Sequence, residues 1–82
     1  MATTRSELRL VVRRVESVLV RVLGVVVRRG FEPVRMTAVE GRVPGTFELA
    51  ITVESERPPA VLVRHLANLY DVDQVAASDH ER

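Results

Sequence analysis

The segment "SVLVRVLGVVVRRGF", residues 17–31, constrains this chain more than any other stretch. Its valines favour a strand by propensity. Yet Ser17, Arg21, Gly24 and Arg28 are spaced by four, three and four, which lines them along one stripe of a helix and leaves Val18, Leu19, Val22, Val25 and Val26 for a core. A strand would set Arg21 between Leu19 and Leu23 on one face. Gly30 can adopt the left-handed conformation that ends a helix, and Arg28 and Arg29 sit where cations complement the negative end of the macrodipole. The spacing therefore predicts a helix. Gly24 and each valine cost it about 0.5–1 kcal/mol relative to alanine, so pattern overrides propensity here.

Strand-like alternation flanks this helix. In "SELRLVVRR" Leu8, Leu10 and Val12 alternate with Glu7, Arg9 and Arg13, with Val11 intruding. After the helix, "FEPVRMTAVE" carries Val34, Met36 and Ala38 at strand spacing, and Pro33, lacking an amide donor, means that this strand lies at an edge or begins after it. "GRVPG" reads as a turn. Phe47, Leu49, Ile51 and Val53 then alternate with Glu48, Ala50 and Thr52. Pro58 and Pro59 suit a first helical turn, and Leu62, Leu66 and Leu69 follow at spacings of four and three, with Val63 and Tyr70 beside them and Arg64 and Asn68 facing away. A short strand over about residues 72–77 closes the order βαββαβ.

That order has one common solution, an α+β ferredoxin-like fold: a four-stranded antiparallel sheet with both helices on one face, because right-handed crossovers return to the same side. One domain over residues 6–78 is expected, with residues 1–5 and 79–82 as disordered tails. The open sheet face should present Arg9, Val11, Arg13, Glu48, Ala50 and Thr52.

Several function classes are disfavoured at this stage. There is no cysteine, so no disulfide or thiolate metal site forms. The longest apolar run, Val18 to Val27, is broken by Arg21 and is far short of the roughly 20 residues of a membrane helix. A cytoplasmic protein without membrane association is expected. Residues 1–42 hold nine arginines against four acids, but a fold that interleaves the two halves mixes these with the seven acids and three arginines that follow. The open-face positions include no aromatic on which a base could stack, so nucleic acid is not expected as a partner. His65, on a helix flank, and His80, near the end, align with no nucleophile, and no carboxylates pair. Neither catalytic nor metal-binding residues are assigned.

The runs "VLVRVLGVVVRRGFEPVRM" and "LANLYDVDQV" resemble the small-molecule-sensing ACT domain of acetohydroxyacid synthase (acetolactate synthase) regulatory subunits. The matching positions are Arg21, Gly24, Arg28, Arg29, Gly30 and Phe31, then Leu66, Leu69, Asp71 and Val72. The short length is closest to small subunits of the isozyme II type. The resemblance implies a non-catalytic regulatory small subunit in branched-chain amino acid biosynthesis. Its partner would be a large catalytic subunit that carries thiamine diphosphate, Mg²⁺ and FAD, with no cofactor on this chain. Activation of that kind requires only tighter binding to the active state. A free-standing ACT sensor acting as a homodimer is the alternative. ACT domains commonly pair edge to edge, which implies a homodimer through the second strand.

Effector positions transfer by the same resemblance to Arg14, Ser17, Val18 and Glu32. Valine-sensing relatives place Asn, Gly and Asn where this chain has Arg14, Ser17 and Glu32. Ser17 retains a hydroxyl suited to helix capping but adds bulk, and Arg14 and Glu32 are expected to pair with each other in preference to forming a site of new ligand specificity. Weak or absent valine sensitivity is the expectation.

Overall fold

The computed structural model describes residues 3–79. The order is β1 (Thr4–Arg13), α1 (Val18–Arg28), β2 (Glu32–Glu40), β3 (Thr46–Ser55), α2 (Pro59–Ala67) and β4 (Val72–Asp79). The strands lie in the order β2-β3-β1-β4, and every neighbouring pair is antiparallel. This is the expected βαββαβ arrangement, and β2, which includes Pro33, lies at an edge, one of the two placements that Pro33 allowed.

Leu8, Leu10 and Val12 of β1 and Leu49, Ile51 and Val53 of β3 are buried side by side. Val18, Val22, Val25 and Val26 of α1 and Leu62 and Leu66 of α2 close the same cluster, so both helices cover one face of the sheet. The stripe read from residues 17–28 thus describes α1 correctly: its tertiary contacts stabilise a valine-rich helix that would be marginal alone. Gly30 terminates it at φ +89°, and the amide of Phe31 donates to the carbonyl of Val26. Gly41 and Gly45 bracket the β2–β3 hairpin, where the amide of Gly41 donates to the carbonyl of Thr46.

Several details depart from the sequence reading. Residues 4 and 5, assigned to a tail, extend β1 opposite Ser55 and Glu54, where Arg5 bonds Glu54. β4 runs two residues beyond 77, and Asp79 pairs through its backbone with Ser6. Residues 1, 2 and 80–82, His80 included, lie outside the described residues. Val34 falls in a register shift between Pro33 and Arg35, so it is exposed although Met36 and Ala38 face Ile51 and Leu49. Tyr70 sits in the turn after α2 and is exposed rather than packed beside the leucines.

Candidate effector site and the ends of the first helix

The loop joining β1 to α1 carries two of the four sequence-assigned effector residues, Arg14 and Ser17, and a third, Val18, opens the helix. Arg14 leaves β1 with its amide donating to the carbonyl of Gly45 at 2.8 Å. Its guanidinium turns over the hairpin, donating to Glu40 Oε2 at 3.2 Å and lying 5.2 Å from the centroid of Phe47, within cation–π reach. Val18 begins α1 and is buried in the core, so it shapes the floor of the loop rather than its surface.

Ser17 precedes the helix in a left-handed conformation, φ 66° and ψ 13°, and its side chain makes no capping hydrogen bond. The expected cap does not form because an N-cap residue accepts from the first-turn amides with extended backbone, whereas the left-handed backbone here aims the hydroxyl elsewhere. With no acid in its first turn and no side-chain cap, α1 offers unpaired amides and the positive end of its macrodipole to whatever approaches.

Glu32 is not part of this cluster. β1 and β2 are both antiparallel to β3 and so run parallel to each other; Glu32 starts β2 at the end where β1 starts. Arg13 pairs with Thr46 and Glu32 with Glu54, eight residues further along β3, or about 27 Å at the rise of a strand. The expected Arg14–Glu32 pair is therefore absent, and Arg14 takes Glu40 instead. No single chain gathers Arg14, Ser17 and Glu32 around one ligand.

A contact not foreseen from the sequence joins the two motifs quoted above. Arg21, in the polar stripe of α1, donates through Nε at 3.1 Å and Nη2 at 2.5 Å to Asp71 Oδ2. Asp71 is 1 % exposed, and its Oδ1 has no hydrogen-bond partner. The hydrogen bond to Asp71 is the largest influence on Arg21 and holds its pKa above the ordinary value. Asp71 also accepts the amide of Arg13 through its backbone carbonyl, tying the end of α2 to the end of β1. An arginine in the first turn of an otherwise apolar helical run was the available signal.

On the uncovered face, Arg9, Val11, Thr37, Val39, Arg42 and Glu48 border a shallow depression of about 430 Å³. Arg9 bonds Glu7 and Arg13 bonds Asp73, which neutralises much of the charge on this face. Beside β2, Leu19, Val20 and Leu23 of α1 form an apolar groove with Met36 and Ala38. Among the described residues no group of His, Asp or Glu is placed to hold a metal ion, and no helix is long and apolar enough to cross a membrane.

An ACT domain family model matches residues 14–75. The chain belongs to the ACT domain family. ACT domains are regulatory modules, and the βαββαβ sheet described above is theirs. No curated protein matches the chain. Among solved structures it is similar to the acetolactate synthase small subunit from Thermotoga maritima, with 24% identity and a TM-score of 0.77 over 89% of this chain and 46% of that one. The chain thus spans just under half the length of that small subunit. The ACT domain from GTP pyrophosphokinase of Chlorobium tepidum has the same TM-score, 0.77, at 13% identity, covering 94% of this chain and 100% of the other. The C-terminal domain of the MgtC protein from Mycobacterium tuberculosis follows at 0.75 and 15%, covering 96% and 89%. At these identities the likeness establishes the fold alone.

Proposed function

We propose that this ACT domain is the non-catalytic small subunit of an acetohydroxyacid synthase, and that it favours the active state of a separate catalytic subunit bearing thiamine diphosphate, Mg²⁺ and FAD. The observation that carries this reading is the Arg21–Asp71 bond, which makes one structural unit of the two sequence runs that resemble such subunits. The likeness to the Thermotoga maritima small subunit supports it. Adding the chain to its cognate catalytic subunit raises turnover, and the chain alone makes no acetolactate from pyruvate. A catalytic subunit whose rate and cofactor affinity do not respond to saturating amounts of the chain refutes the reading. Millimolar valine, leucine or isoleucine neither binds nor inhibits, because Glu40 already engages the Arg14 guanidinium and Ser17 adds a side chain at the helix start. A saturable valine signal in calorimetry with Kd below about 1 mM would overturn that part.

The second reading, a free-standing sensor, draws on the equal likeness to the GTP pyrophosphokinase ACT domain. Both readings include a homodimer through β2. The unpaired edge of β2 and the apolar groove beside it are the surfaces that a second copy would cover. A two-fold axis pairing β2 with its copy in antiparallel sense sets Glu32 of the second copy near Glu40 and Arg14 of the first, so the dispersed effector positions converge only between chains. A chain that dimerises and binds an amino acid but fails to associate with any synthase subunit favours this sensor.

A further inference from the structure

At the end of α1 opposite Ser17, Arg28, Arg29, Gly30, Arg57, Val61 and His65 line a pocket of about 230 Å³. No carboxylate lines it, although Glu32 and Glu56 are close in sequence. Arg5, Arg9, Arg13, Arg14 and Arg21 each reach a carboxylate; among the described residues Arg28, Arg29 and Arg57 reach none, nor do Arg35, Arg42 and Arg64, but only the first three share one pocket.

Arg28 and Arg29 by themselves call for no ligand, since cations suit the carboxyl end of a helix. Arg57 is different. It stands just before the amino end of α2, where the macrodipole disfavours a cation, and it shares the pocket with two like charges. Its placement is nevertheless built into the fold. Ser55 Oγ donates to the carbonyl of Gly30 at 2.9 Å and accepts the amide of Arg57 at 3.0 Å. Arg57 Nε lies so close to Gly30 that a Cβ there would approach it to 2.9 Å. Gly30 thus serves twice, turning the chain at φ +89° and leaving room for the guanidinium.

We propose that this corner binds a small phosphate-bearing anion, a diphosphate or phosphate monoester, through Arg28, Arg29 and Arg57, with His65 on the wall. Guanidinium forks match phosphate oxygens two at a time. A multivalent anion offsets the like-charge repulsion among the three guanidinium groups. The pocket is smaller than the roughly 300–1,000 Å³ typical of sites that enclose a drug-sized ligand, which points to a compact anion.

The test is a titration of the full chain with inorganic diphosphate in about 50 mM salt, where surface charge is only partly screened, followed by backbone amide shifts. Saturable shifts centred on Gly30, Arg57 and Val61 are expected. Arg57→Gln should weaken binding about tenfold or more, equivalent to about 1.4 kcal/mol, while Arg64→Gln, the same charge change on the exposed side of α2, leaves it within about twofold. Should Arg57→Gln disturb the fold, the double variant Arg28→Gln, Arg29→Gln at the exposed helix end tests the same point. No saturation by about 10 mM diphosphate, or equal losses in Arg57→Gln and Arg64→Gln, overturns the proposal. So does binding of a glutamate-rich peptide at this corner where diphosphate does not bind, since that makes it a protein-docking surface.

Discussion

Replacing Ser17 with glycine is expected to stabilise the domain. Ser17 holds φ 66° and ψ 13° and makes no capping hydrogen bond. The left-handed conformation costs an ordinary residue roughly 1–2 kcal/mol, and glycine removes that cost. Against this, glycine has more freedom to lose from the unfolded chain, about 0.4–1 kcal/mol. The net gain is about 0.5–1 kcal/mol, which in a domain of this size raises Tm by about 2–8 °C. Ser17→Ala separates the two contributions: it keeps the strained backbone and removes a hydroxyl that caps nothing, so it should stay within about 0.5 kcal/mol of the parent, where loss of a working cap costs about 1 kcal/mol. Urea denaturation and calorimetry at one fixed protein concentration provide the measurement, because any self-association would make Tm depend on concentration. A Ser17→Gly protein no more stable than the parent, together with a Ser17→Ala loss of about 1 kcal/mol or more, would show that the hydroxyl does cap α1 and would refute the reasoning.

Two further predictions concern the buried pair and the edge strand. Arg21→Met leaves the carboxylate of Asp71, 1 % exposed, without its counter-ion, so it should destabilise far more than Arg64→Met, and adding Asp71→Asn should recover part of the loss; equal denaturation midpoints for the two arginine variants would sink this. Because the pKa of Arg21 is raised in the folded state, its contribution is complete below the unfolded value and lost only in strong alkali, so the Arg21→Met deficit should stay constant between about pH 6 and pH 9. Met36→Glu places a charge in the apolar groove beside β2 and should convert a dimer to a monomer in sedimentation at tens of micromolar; a parent protein already monomeric there removes the edge-to-edge dimer.

Much of this architecture was legible because it rests on local periodicity. The four-three-four spacing of Ser17, Arg21, Gly24 and Arg28 outweighed valine propensity, since burial of one helical stripe contributes more than the intrinsic preference of each residue. Pro33 narrowed β2 to an edge or a later start because a missing amide donor has few places in a sheet. Gly30 marked a chain reversal for the same kind of reason, steric permission at a single residue. The open-face residues Arg9, Val11, Arg13, Glu48, Ala50 and Thr52 followed from alternation alone.

The candidate site was less legible, because it depends on which ends of which elements meet. Arg14 and Glu32 suit each other by charge, yet the parallel sense of β1 and β2 separates them by the length of the sheet, and Glu40 takes the place of Glu32. Ser17 is a good capping residue by composition, but the path from Arg14, anchored to Gly45, into α1 imposes a backbone from which its hydroxyl caps nothing. Asp71 and Arg21 lie 50 residues apart and meet only once α1 and the end of α2 are packed. Arg57 joins Arg28 and Arg29 only through Ser55 and Gly30. The sequence by itself determined the elements, their order and their buried faces, because those follow from the covalent spacing of side chains along a helix or strand. The tertiary structure alone decided which charges are paired, which are left facing one another, and where the left-handed turn falls, because those depend on distances between residues remote in the chain.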